Sequence, residues 1–119
     1  MAKSFHDLVN EAKSRIKEVD VAQAVEAMRS GSVVVVDVRE PDEYRQGHLE
    51  GALNIPRGVA EMGVPQAVSD RAARILCYCA AGNRSALAAD SLRQMGYENV
   101  ESLNGGFQAW VRSGADVVR

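Results

Sequence analysis

Apolar and polar positions along the 119-residue chain fall into blocks of two kinds. "VVVVDV" (Val33 to Val38) and "RILCYC" (Arg74 to Cys79) are apolar runs without alternation, as expected of strands buried on both faces. "GALNIP" (Gly51 to Pro56) and "NVESL" (Asn99 to Leu103) read as two shorter strands. Between these runs the apolar residues recur at helical spacing. Ser4 is placed to cap a first helix, with Phe5, Leu8, Val9, Ala12 and Ile16 on one stripe. Asp20 is placed to cap a second helix through the backbone N–H near Gln23, with Val21, Val25 and Met28 inward and "SGS" (Ser30 to Ser32) as its stop. "REPDEYRQG" (Arg39 to Gly47) predicts a short helical turn with Pro41 at its start. Arg84 to Met95 repeats apolar residues at Ala88, Leu92 and Met95, and Gly96 supplies a left-handed stop. "GGFQAWVRSG" (Gly105 to Gly114) reads as a last helix. Only Arg57 to Arg74 shows no clear period, and it reads as a loop with one helical segment.

Strands alternating with helices predict an α/β fold, an open parallel sheet covered by helices on both faces. No internal repeat, low-complexity tract or linker divides the chain. Residues 1–18 are expected to form an N-terminal amphipathic helix, and 19–119 one domain. In such sheets ligands bind outside the carboxyl ends of the strands. Cys79 stands at one of those ends.

Composition narrows the chemistry. Apolar residues make up 46% and charged residues 25%, ordinary for a globular protein, and the formal net charge is −2. That charge gives no reason to expect nucleic acid or an anionic membrane as partner. No apolar stretch approaches the roughly 20 residues that span a bilayer. The N-terminal segment mixes both charge signs and lacks the apolar centre of a secretory signal. Together with only two cysteines, Cys77 and Cys79, this predicts a reducing cytoplasmic location in which thiols stay free. Two cysteines with no nearby ligands make a poor metal site, and no motif calls for a cofactor. His6 and His48 are the only histidines, and neither is placed as a catalytic base.

The stretch "CAAGNRS" (Cys79 to Ser85) carries the strongest chemical signal. Ala80, Ala81, Gly82 and Asn83 are small or permissive, so the chain there can curl with its N–H groups turned inward. Such a ring, joined to the positive end of a helix dipole, favours an anion at its centre. With Cys79 at the centre that anion is a thiolate, as at other cysteines next to helix N-termini. Ala80 and Ala81 are expected to leave the mouth open. Arg84 would add positive charge toward an anionic substrate, or fold back onto the loop's carbonyls, and both roles stay open. Ser85 is placed to donate a hydroxyl hydrogen bond.

Three ordered segments resemble the rhodanese-like sulfurtransferase family. They are "CAAGNRS", the upstream "VVVVDVREPDEYRQGHLEGALNIP" (Val33 to Pro56) and the downstream "LNGGFQAW" (Leu103 to Trp110). The resemblance covers nearly everything after about residue 19. It implies a five-stranded parallel sheet, Cys79 as nucleophile and Ala80 to Ser85 as the substrate-binding loop. It further implies a persulfide on Cys79, loaded from thiosulfate or a persulfide donor and unloaded onto cyanide or a thiol. Gly105 and Gly106 would lie near the loop, and His48 would stabilise a turn.

Two rivals accompany that expectation. One is a sulfur carrier that hands its persulfide to a partner protein. The other is a cysteine-dependent phosphatase or arsenate reductase. The phosphatases resemble a Cys-x5-Arg loop, whereas four residues, Ala80 to Asn83, separate Cys79 from Arg84 here. Among flanking residues, Asp37 is expected to reach across toward the loop and Arg39 to pair with Glu43 four residues on. Asn54 follows a strand end, and Arg57 offers charge to an anionic donor. Cys77 is expected in the core beneath the loop, with Phe107 and Trp110 as packing residues.

Overall fold

The computed structural model describes residues 1–119, and its helices begin where side chains can cap them. Helix α1 (Phe5–Lys13) opens on a reciprocal pair: the Asp7 N–H donates to the Ser4 hydroxyl at 3.0 Å and the Ser4 N–H to the Asp7 carboxylate at 3.0 Å. Helix α2 (Val21–Ser30) repeats the device with Asp20 and Gln23, and Gly31 ends it at φ 73°. Its buried line is Ala24 and Ala27, with Val21, Val25 and Met28 half-buried on either side. The small alanines let the helix approach the sheet, and the larger residues fill its flanks.

Strand β2 (Val33–Asp37) leads to the short helix α3 (Pro41–Gln46), with Pro41 in its first turn. Strand β3 is only Leu53–Asn54. The segment without a legible period contains one 3₁₀ turn, Arg57–Val59, and helix α4 (Ala60–Ala67) with Pro65 inside it. Strand β4 (Arg74–Tyr78), helix α5 (Asn83–Gln94), strand β5 (Asn99–Leu103) and helix α6 (Gly106–Arg112) complete the chain.

The N-terminal segment departs from expectation. Helix α1 stops at Lys13 rather than running to residue 18, and Lys17–Val19 form strand β1, paired in parallel with Glu101–Leu103 of β5. Ile16 therefore belongs to the connection. Val9 and Ala12 are buried, while Phe5 and Leu8 face outward.

All five strands are parallel, in the order β1-β5-β4-β2-β3. Alternate residues of β4 enter different cores, because strand side chains leave opposite faces in turn. Ile75, Cys77 and Cys79 join Val36, Val38, Val64, Ala88 and Leu92 on the side of α4 and α5. Leu76 and Tyr78 join Val35, Ala24, Leu103 and Trp110 on the side of α2 and α6. The chain passes from β2 outward to β3, then returns to β4 on β2's other flank. The crevice beyond the carboxyl ends of β2 and β4 is thus the topological switch point. No helix is long and apolar enough to cross a membrane.

Candidate active site

Strand β4 ends one residue before Cys79, and the next four residues turn the chain into α5. Gly82 makes that turn at φ 99°, in the left-handed region that glycine enters without steric cost. The first turn of α5 has no capping side-chain oxygen. The Cys79 sulfur takes that place: the Gly82 N–H donates to Sγ at 3.2 Å and the Ser85 N–H at 3.3 Å. The Ser85 hydroxyl is a third neighbour, at 3.4 Å from Sγ. The N-terminus of α5 and two aimed N–H groups thus converge on that sulfur.

The outer side of the curl is fixed by α6. The Phe107 N–H donates to the Cys79 carbonyl at 2.8 Å and the Gln108 N–H to the Ala80 carbonyl at 3.0 Å. These bonds turn the two carbonyls away from the sulfur, leaving N–H groups inside. The approach is so close that a Cβ at Gly106 would lie 2.5 Å from the Cys79 carbonyl oxygen. Gly82 meets Gly105 on the same front, where an added Cβ would lie 3.3 Å from the Gly105 nitrogen.

A family profile described as the rhodanese-like domain matches residues 20–113. The chain belongs to that family. Among solved structures, a rhodanese-related protein from Thermoplasma volcanium is 32% identical, with TM-score 0.76, over 86% of this chain and 97% of its own. A protein of unknown function from Rhodopseudomonas palustris, titled a possible tyrosine phosphatase, is also 32% identical, with TM-score 0.89, over 99% of this chain and 96% of its own. The human single-domain sulfurtransferase shares the fold at 24% identity and TM-score 0.73, over 80% of this chain and 95% of its own.

Within this rhodanese-like domain the six loop residues expected around Cys79 divide by role. Gly82 and Ser85 touch the sulfur. Ala80 contributes its carbonyl to α6. Ala81 and Asn83 are exposed and make no hydrogen bond to Sγ, and Asn83, with negative φ, begins α5. Arg84 does not fold back onto the loop's carbonyls, though its charge still lies within electrostatic reach of Cys79. Its guanidinium grips the Glu43 carboxylate in two hydrogen bonds of 2.9 and 3.2 Å, tying α5 to α3. That contact, against a smaller opposing effect of burial, holds the Glu43 carboxyl below the usual range.

Arg39 is therefore not the partner of Glu43. It precedes α3 rather than lying on it, so helical i,i+4 geometry does not bring the two together. Arg39 is 4% exposed and binds the fully buried Asp37 with Nη2 at 2.8 Å, and it also donates to the Gly47 carbonyl at 2.6 Å. Its guanidinium lies 4.2 Å from the Phe107 ring centre. Asp37 accepts from the Tyr78 hydroxyl at 2.7 Å and does not reach the Cys79 loop. The pair supports the site at one remove, by packing Phe107 and hence the start of α6.

Asn54 donates to the carbonyls of Asp37 and Arg39, and Arg57 pairs with Glu61 through Nη1 while its buried Nε has no hydrogen-bond partner. His48 stacks on Tyr44 and its Nδ1 lies 2.9 Å from the Tyr44 carbonyl, a turn-fixing arrangement. Trp110 is buried, with its indole N–H donating to the Asp116 carbonyl at 2.7 Å.

The mouth is narrower than two alanines suggested. Cys79 is 1% exposed, and none of the four surface cavities is lined by it. The N–H groups that hold the sulfur point it inward, beneath the half-buried Ala80 and exposed Ala81. Cys77 sits deeper on the same face of β4, and burial, aided by the Cys79 charge, pushes its thiol up to about 12. One neighbour was not foreseen: Ser102 of β5, whose Oγ lies 2.8 Å from the Ser85 Oγ. A serine inside the short strand "NVESL" was the available signal, because a buried hydroxyl requires a partner.

Proposed function

We propose that this protein is a sulfurtransferase that carries sulfane sulfur as a persulfide on Cys79. The aim of the Gly82 and Ser85 N–H groups at Sγ carries this reading. In the first half-reaction the Cys79 thiolate attacks the outer sulfur of thiosulfate or of a small persulfide. The donor's S–S bond breaks, and sulfite or a thiolate leaves with the electron pair. In the second half-reaction cyanide or a thiolate attacks the outer sulfur of Cys79–S–S⁻, and Cys79 recovers its electron pair. This is covalent catalysis in two steps, with ping-pong kinetics. The loop N–H groups stabilise the Cys79 thiolate that attacks in the first half-reaction and leaves in the second.

Access comes from the rim. The Arg84–Glu43 bridge is about one-third exposed on both sides, and such a contact is worth only about 0–1 kcal/mol. Its opening therefore adds little to the barrier. A small donor and a thiophilic acceptor suit a sulfur this deeply set. A partner protein's thiol is the alternative acceptor, and a reducing cytoplasm would keep Cys79 free.

The relative titled a possible tyrosine phosphatase supports a second reading, phosphoryl transfer through Cys79. Two features favour sulfur. The two N–H groups converge on Sγ itself, and Arg84, the cation a phosphate would need, is already held by Glu43. Parallel assays separate the readings: thiocyanate from thiosulfate and cyanide, and hydrolysis of an aryl phosphate. Thiocyanate formation without phosphate release is expected. Phosphate release without thiocyanate would overturn the proposal.

A further inference from the structure

We propose that Ser102 is a positioning residue, which turns the Ser85 hydroxyl toward the Cys79 sulfur whenever that sulfur is anionic. The inference rests on Cys79 being the reacting sulfur and goes beyond it, because Ser102 makes no hydrogen bond to the sulfur and acts through Ser85. Ser85 and Ser102 are both 0% exposed. Ser102 lies on β5 opposite Cys77 in the parallel register, so its side chain leaves the same sheet face as Cys77 and Cys79. Its one side-chain hydrogen bond is to Ser85, Oγ to Oγ at 2.8 Å, and Ser85 in turn lies 3.4 Å from Sγ.

Counting donors along this line decides its polarity. With Cys79 as a thiol, the line holds three hydrogens, on Sγ, on the Ser85 oxygen and on the Ser102 oxygen. Only two contacts join the three atoms, so one hydrogen stays without a partner in a fully buried place. With Cys79 as a thiolate, two hydrogens remain for two contacts. Ser102 then donates to Ser85, and Ser85 donates to the sulfur. The line is complete only when the sulfur is negative. No proton moves along it: the thiol proton leaves to solvent, and the two hydroxyls rotate.

The arrangement also separates Ser102 from a plain packing serine. A packing serine would matter for stability whatever the state of Cys79. A serine that orients Ser85 matters only while Ser85 is present, and only for the anionic sulfur.

The test is the pH profile of iodoacetamide alkylation at Cys79, read by peptide mapping. Parent, Ser102→Ala, Ser102→Thr, Ser85→Ala and the Ser85→Ala/Ser102→Ala double variant are compared. Ser102→Ala should slow alkylation at neutral pH by roughly three- to tenfold, the worth of one hydrogen bond, and move the profile to higher pH with its plateau unchanged. Ser102→Thr, which keeps the hydroxyl, should follow the parent. In the Ser85→Ala background Ser102→Ala should change nothing further. A parent-like profile for Ser102→Ala, a Thr variant as impaired as the Ala variant, or a full Ser102→Ala effect without Ser85 would each overturn the proposal. Alkylation needs no sulfur transfer. A parent that alkylates as described yet makes no thiocyanate from any donor would refute the function and leave Ser102's role standing.

Discussion

Cys77 and Cys79 leave the same face of one strand, two residues apart, and both are almost fully buried. Burial alone makes them look alike. What differs is the backbone around each. Cys77 is surrounded by apolar side chains and strand ladders, which offer its sulfur nothing and push its thiol up to about 12. Cys79 stands where the ladder ends, and the first turn of α5 offers it N–H groups that have no other acceptor. On the proposed reading, a sulfur at a strand end becomes chemical by serving as the cap of the next helix. Exposure has little to do with it.

The largest effect expected from this contrast is on activity. Cys79→Ser should lower thiocyanate formation by at least roughly a thousandfold, as loss of a nucleophile does. Cys77→Ala should keep the rate within about twofold while costing about 1–2 kcal/mol in urea unfolding, the mark of a core side chain. Equal losses of activity in both variants would erase the contrast.

Next comes the backbone. Gly106 is at φ 58° with no room for a Cβ, so Gly106→Ala should cost about 2–3 kcal/mol and push α6 off the loop. Gly31 has a similar φ of 73° but nothing within 4 Å of an added Cβ. Gly31→Ala should therefore cost about 1 kcal/mol and leave turnover unchanged. Urea midpoints and thiocyanate rates on both variants separate conformational strain from loss of the curl.

Alkylation sharpens the comparison further. A thiol pushed up to about 12 leaves on the order of one molecule in ten thousand ionised at pH 8. Iodoacetamide at pH 7–9 should therefore label Cys79 and spare Cys77 in the folded protein, as peptide mapping would read. Labelling of Cys77 at a similar rate would mean the two sulfurs are not distinguished by their surroundings.

The smallest effect concerns the rim. Glu43→Gln should change stability by no more than about 1 kcal/mol, since the bridge is partly exposed. Glu43's carboxyl is held below its usual range, chiefly by Arg84, so the bridge is whole above the unfolded-state value near ~4.3 and is lost as pH falls through the lower folded value. The parent and Glu43→Gln should thus differ by a constant amount from pH 6 to 9 and converge in acid. Melting curves across that range check it.

The legible parts of the sequence were those in which one local pattern decides the outcome. Ser4 before its apolar stripe and Asp20 with Gln23 announced two helix starts, and two uninterrupted apolar runs announced β2 and β4. "CAAGNRS" announced the curl, because a small-residue turn between strand and helix has few other forms. Strand β1 was illegible for the opposite reason: "KEV" is three residues, two of them charged, at the edge of the sheet. Helix α4 hides behind Gly63 and Pro65, which a helical period does not suggest. The pairings of Arg39 with Asp37 and Arg84 with Glu43 are tertiary, set by where the end of β2, helix α3 and helix α5 come together, and short-range spacing pointed Arg39 at the wrong carboxylate. Ser102 shows the same limit, since its meaning depends on a partner 17 residues away.

The central claim is that Cys79 holds a second sulfur in a curl built for a negative charge. Intact mass measurement after incubation with thiosulfate or glutathione persulfide, followed by peptide mapping, tests it most directly. The expected result is the mass of one added sulfur, located on Cys79, removed by cyanide and absent from Cys79→Ser. An unchanged mass with every donor, or an added sulfur on Cys77 that survives in Cys79→Ser, would contradict it.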